Sequence, residues 1–227
     1  MSSTGDHLFY RDASNQNAVE VIRALFEGLD NMDEVYAEYE VDEEGMVSLH
    51  NHMNSSSIWK SVSQWDSGIR YTVNHPVGKV YIFDKNRGEN TCIYRETPLK
   101  KFRGKKSGEG VEFFMIKKRK IPIDFSRESC HSSNYTWVRI ESKKTFKYES
   151  NRSSWDFHLS VVWEGESRES LRSSEKKKYV VQISMGSMDK ASRDPGYTTA
   201  SFVEKLMDTL FQNSRGRYVT FDPSYLT

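Results

Sequence analysis

Residues 138–162 read VRIESKKTFKYESNRSSWDFHLSVV, and this stretch decides the fold. Arg139, Glu141, Lys143 and Thr145 fall on one face of a period-two pattern. Asp156, His158 and Ser160 fall on one face of a second, opposite Trp155, Phe157, Leu159 and Val161. Alternation of this kind belongs to β-strands, so strands are expected over Trp137–Tyr148 and Trp155–Trp163. Their polar faces allow two readings. In an ordinary half-buried sheet they meet water. In a closed barrel they line the interior, where acids pair against bases and closure removes the sheet edges. Alternation is the same in both.

Working outward, EVYAEYEVD at 34–42 has the same period, with Val35, Ala37, Tyr39 and Val41 facing one way. Tyr36, Glu38, Glu40 and Asp42 face the other, an unusually acidic face for a strand. Further strands are expected at Ile69–Val73, Lys79–Asp84, Asn90–Tyr94, Glu112–Lys118 and Lys178–Met185, separated by turn segments such as NHPVG and DKNRG. Serial short strands without βαβ alternation predict a meandering antiparallel sheet, sandwich or barrel. One helix is expected from Asn17, whose capping box with Glu20 precedes the stripe Ala18, Val21, Ile22, Leu25, Phe26 and Leu29. A second follows the DPG turn, with Phe202, Val203, Leu206 and Leu210 as its apolar face. HNHMNSSS at 50–57 and RGKKSGEG at 103–110 read as loops, ESRESLRSSEKKK at 166–178 as a charged hairpin connection, and the tail RYVTFDPSYLT as a last extended piece. No composition shift divides the chain, so residues 1–227 are read as a single α+β domain.

With 36% hydrophobic and 29% charged residues the chain is globular rather than disordered. The 33 basic and 32 acidic groups leave a net charge of +1, so any phosphate site must come from local clustering. Cys92 and Cys130 are too few for a disulfide framework. MSSTGDHLFYRD lacks the apolar run of a signal peptide and no stretch reaches membrane-spanning length, so nucleus or cytoplasm and no membrane partner are expected. A Gly-rich phosphate loop and a G-x-S-x-G elbow are both missing, which disfavours those enzyme classes.

The order of elements narrows the choice. An initial helix leads to the E-x-E strand, and much later come Arg139-Ile-Glu-Ser-Lys143-Lys144-Thr145-Phe146, FHLSVV, YVVQISM and a final helix. This order resembles the tunnel-type, metal-dependent RNA 5′-triphosphatases of mRNA capping. In that family an early strand of alternating glutamates is followed by a basic strand of the form Arg-x-Lys-x-Arg, an Ile-Asp-Leu-Thr strand and a last strand of alternating glutamates. The resemblance implies an antiparallel β-barrel, or tunnel, flanked by an N-terminal and a C-terminal helix. It implies a nuclear hydrolase that removes the γ-phosphate of nascent RNA with Mg²⁺ or Mn²⁺. Glu38 and Glu40 would be catalytic metal ligands and Arg139 and Lys143 catalytic phosphate clamps. Arg70, Lys117 and Arg119 would be further phosphate contacts, and Gln182 a neutral metal ligand. Implied partners are triphosphate-ended RNA, a guanylyltransferase or other transcription or capping subunit, and a second copy of the chain.

The chain also departs from that pattern. Glu141 replaces the middle base, His158 stands for Asp and Ser160 for Thr, and Val180, Gln182 and Ser184 occupy the last acidic strand. A neutral amide cannot replace a carboxylate's charge toward a hard divalent cation. The alternative is therefore a catalytically inactive tunnel subunit that scaffolds a transcription or capping complex. A β-sandwich binding module, with Glu38 and Glu40 in solvent, is a third reading. Elsewhere, Glu164 and Glu166 read as solvated charges and His50-x-His52 as exposed loop histidines rather than a metal site. LKKFRGKK reads as a basic loop tip, MIKKRKI as a basic strand, and Trp59, Trp65, Phe102 and Trp137 as packing residues.

Overall fold

The structure is a computed structural model that describes residues 23–62, 64–75, 78–85, 90–106, 112–123, 135–149, 154–167, 170–171, 177–185, 202 and 219–221. The strands are β1 (Asp33–Val41), β2 (Lys60–Ser61), β3 (Asp66–His75), β4 (Gly78–Lys85) and β5 (Asn90–Lys106), followed by β6 (Glu112–Pro122), β7 (Tyr135–Glu149), β8 (Ser154–Gly165), β9 (Lys178–Met185) and β10 (Val219–Phe221). The helix α1 (Glu43–Ser55) follows β1 directly. All strand pairings are antiparallel, in the order β10-β5-β4-β3-β7-β8-β9-β1-β6. A further pairing of β5 with β6 closes the path into an eight-stranded barrel, with β10 and β2 as additions outside it.

The barrel is apolar on its outer wall. Val35, Ala37 and Tyr39 of β1, Phe113 and Met115 of β6, Phe157 and Leu159 of β8, and Val181 and Ile183 of β9 all point outward. There they pack beneath Leu25 and Phe26, beneath Met46, Leu49 and Met53 of α1, and against Phe202. Phe26, Trp155 and Phe202 meet ring to ring, with centroids 6.1, 5.3 and 5.4 Å apart. On the opposite flank Tyr71, Val73, Ile82 and Val138 form a second apolar cluster with Leu171. An outer ion pair reinforces the wall: Arg119 Nε donates to the buried Asp33 at 2.7 Å.

Several expectations are corrected. HNHMNSSS is not a loop: residues 50–55 belong to α1, whose start is capped by Asp42 accepting from the Gly45 amide at 2.7 Å. Weak helix formers obscure the helix, but Met46, Leu49 and Met53 recur at helical spacing and are buried. RGKK at 103–106 is strand, because β5 runs past Tyr94 to Lys106. The LKKFRGKK segment is therefore part of the barrel backbone; its side chains from Lys100 onward lie outside the described residues. The tail contributes β10, a short extended piece. The start of the first helix, most of the last helix, and residues 172–176 lie outside the described residues. Among the described residues no helix is long and apolar enough to cross a membrane.

Phe157 is fully buried between β8 and the covering layer, in ring contact with Trp59 at 5.8 Å. Phe157→Ala is expected to lower unfolding free energy by about 3–5 kcal/mol, read from the shift in urea midpoint.

Candidate functional site

Because the outer face takes the apolar positions, every second residue of β1, β7, β8 and β9 points into the lumen. The lumen forms a partly open cavity of about 980 Å³. Glu38, Arg70, Arg139, Lys143 and Gln182 all line it. These residues of the expected site are thus brought together from β1, β3, β7 and β9, and Glu38 is enclosed rather than in bulk water.

Three expected residues are not. Glu40 sits at the end of β1 with its side chain 64% exposed, 3.6 Å from Lys178 Nζ. Lys117 and Arg119 are on the outer face, where Lys117 Nζ donates to the Glu27 carbonyl at 2.7 Å and Arg119 pairs with Asp33. The lumen-facing bases of β6 are Lys118 and Lys120. The sequence carries no signal for this phase, since Phe114 and Ile116 share a face with Lys118 and Lys120 just as Phe113 and Met115 share one with Lys117 and Arg119. Pairing with Val35, Ala37 and Tyr39 of β1 sets it.

The lumen is a lattice of opposed charges. Lys118 lies 2.7 Å from Glu96 and 3.8 Å from Glu34, and Lys120 lies 2.9 Å from Glu34. Arg139 donates to Glu164 at 3.0 Å and stands 3.8 Å from Glu141. Glu164 is therefore an ion-pair partner at the wall, not a solvated hairpin charge. Burial raises Glu141, but Arg139, the Ser160 hydroxyl at 2.6 Å, Lys143 and Arg70 outweigh it and hold the carboxyl below its ordinary range. Neither Arg70 nor Lys143 has an ion-pair partner among the described residues. Arg70 instead lies over the Tyr81 ring, 5.1 Å from its centroid, and hydrogen-bonds Tyr94.

The cross-strand row of Glu38 is uncharged, with Asp156 one step along β8 from His158. Glu38 pairs across the strands with Gln182, Gln182 with His158, and His158 with Thr145. Thr145 Oγ1 is 3.0 Å from His158 Nδ1, and Ser184 Oγ is 3.2 Å from Nε2. Burial first, and Lys143 second, push the imidazole down to about 3, so it is neutral at physiological pH.

A hard divalent cation requires several oxygen ligands and prefers carboxylates. Burial holds Glu38 above the ordinary carboxylate range, against the pull of Arg139 and Lys118. Its neighbour on β9 is the amide of Gln182, and no group of three His, Cys, Asp or Glu converges among the described residues. The wall does not by itself fit a resident Mg²⁺ or Mn²⁺.

No protein-family model matches the sequence, and comparison with curated proteins finds no significant match. The fold does have solved relatives. The RNA triphosphatase Pct1 of S. pombe superposes with a TM-score of 0.65 at 5% identity, covering 89% of this chain and 94% of that one. The Mimivirus capping enzyme triphosphatase gives 0.54 at 12% identity, covering 89% of this chain and 100% of that one. The chain has the tunnel fold of RNA triphosphatases. A further structure of Pct1, in complex with the Spt5 CTD, gives 0.64 at 7% identity over 88% and 92% of the two chains.

The neutral histidine gives the tunnel a pH signature. Below the ordinary value of 6.5 the unfolded chain protonates His158, whereas the folded chain resists until about 3. Stability is therefore lost as pH falls through that window. Relative to the native chain, His158→Gln is expected to gain stability progressively from about pH 6.5 downward and little above it, measured by urea unfolding across the series.

Proposed function

We propose that the tunnel receives the 5′-triphosphate end of RNA. The observation that carries this reading is the pair of lumen-facing cations, Arg70 and Lys143, that have no ion-pair partner among the described residues, with Arg139 on the same wall. Both cations act on Glu141 from a distance without pairing with it, and a polyphosphate entering the lumen supplies a direct partner. The capping triphosphatases whose fold the chain shares support RNA as the bearer of that triphosphate. A divalent cation, Mg²⁺ or Mn²⁺, would arrive held by the phosphates, as Mg²⁺ commonly is where protein carboxylates are few. On this reading the chain works on nascent RNA, in nucleus or cytoplasm, beside other capping or transcription subunits.

A second reading, hydrolysis of the γ-phosphate, is favoured by the presence of Glu38 in the lumen near Arg139 and Lys118. Phosphoryl transfer depends on positioning and charge neutralisation, which these cations offer. Gln182 and Ser184 opposite β1 weigh against it.

Lys143→Met is a clean probe, because it breaks no ion pair among the described residues. In EDTA, native protein is expected to bind 5′-triphosphate RNA at least about ten-fold more tightly than 5′-hydroxyl RNA of the same sequence, by fluorescence anisotropy. Lys143→Met should remove most of that preference. Equal binding of the two RNAs by the native chain would refute the reading. In Mn²⁺, no phosphate release above a Glu38→Ala control is expected; release that disappears in Glu38→Ala establishes the hydrolase instead.

A further inference from the structure

One step along from Arg139 and Arg70, on the same strand faces by alternation, lies a row with three aromatic residues in four. The pairing register sets Trp137 opposite Thr72, Thr72 opposite Tyr81, and Tyr81 opposite Tyr94. The neighbouring row runs Arg139, Arg70, Phe83, so the two rows are separated by two residues along each strand, about 7 Å. Alternation places Trp137 on the Arg139 face of β7, and it is 40% exposed where a packing tryptophan would be covered. Tyr94 lines the cavity, and Tyr81 stacks on it with centroids 5.7 Å apart and planes 23° from parallel. Trp137 and Tyr81 stand on either side of β3, about 10 Å apart across two strand spacings, with Thr72 as the floor between them. Arg70, over Tyr81, joins this aromatic row to the cationic one.

We infer that this aromatic row binds the 5′-terminal nucleoside of the chain whose phosphates lie at the arginine row. The inference rests on the triphosphate-receptor reading and adds a subsite and a polarity: RNA enters with its 5′ end inward past Trp137. An exposed indole and a tyrosine pair around a small floor make a slot for a flat, apolar-faced group. A nucleobase is such a group, and its ribose links it directly to the phosphate chain. Stacking on aromatic rings is tolerant of base identity, since every base has a π-face. The slot therefore confers a preference for nucleoside-bearing triphosphates over bare polyphosphate, without a preference among bases.

The test uses the full chain and two kinds of probe, inorganic tripolyphosphate and each of the four ribonucleoside triphosphates, by isothermal titration in EDTA. Native protein is expected to bind all four nucleotides about ten-fold more tightly than tripolyphosphate, the low end of the range set by stacking one base. Trp137→Ala should erase that gain while leaving tripolyphosphate affinity unchanged, and Trp137→Phe should keep most of it. Trp137 is exposed, so neither substitution removes core packing. Equal native affinity for nucleotide and tripolyphosphate, or a Trp137→Ala variant that retains the gain, overturns the subsite and leaves the phosphate tunnel standing. No tripolyphosphate binding by native protein overturns both.

Discussion

A barrel that encloses charge must put its hydrophobic core somewhere else. Every strand has only two faces, and here the inward face of β1, β7 and β8 carries glutamates, arginine, lysine, aspartate and histidine. The apolar face is therefore outside, where it would meet water unless other elements covered it. That demand explains α1, the residues around Leu25 and Phe26, and the insertion of Phe202 against Trp155. On the same outer face the half-buried Arg119 of β6 pairs with the buried Asp33 of β1. The covering helical segments are thus part of what makes a polar lumen possible.

The lumen is not arranged for stability. Burying an ion pair roughly cancels its own attraction against lost hydration, and apolar replacements of similar volume are often as stable or more so. A wall built from Lys118–Glu96, Lys120–Glu34 and Arg139–Glu164 holds cations at fixed positions at little net gain. Such a wall is preorganised: Lys118–Glu96 and Arg139–Glu164 are already largely withdrawn from water and oriented.

Much of this was legible from alternation. The strand Lys178–Met185 ends where the pattern placed it, and Glu38, Arg70, Arg139, Lys143 and Gln182 share one cavity. What alternation could not reveal was whether the polar faces met water or each other, because closure depends on β5 reaching β6. Pro98, Gly104 and the run of lysines disguised the second half of β5 as a loop, although its backbone completes the barrel. α1 was hidden for a related reason: Ser, Asn and His weaken helix propensity, yet three buried apolar residues and an Asp cap suffice when a barrel wall lies beneath. In MIKKRKI the error was one of phase. A one-residue slip exchanges every side chain between the two faces, and the basic run looks the same in either phase. The upstream residues do not help, because Phe114 and Ile116 are as apolar as Phe113 and Met115; pairing with β1 decides the phase.

The departures from the capping pattern have a shared electrostatic consequence. Gln182, His158, Thr145 and Ser184 leave the row beside Glu38 uncharged, with Asp156 one step further along β8, while Arg139, Lys118 and Arg70 act on Glu38 against Glu141. A carboxylate whose cross-strand neighbours are an amide, a neutral imidazole and hydroxyls does not assemble a metal cage. Protonating His158 would add a charge to the uncharged row, but burial and Lys143 keep the imidazole uncharged well below neutrality. That row therefore stays uncharged across the physiological pH range. On the proposed reading a polyanion lies instead at Arg70 and Arg139, the row that the aromatic positions border.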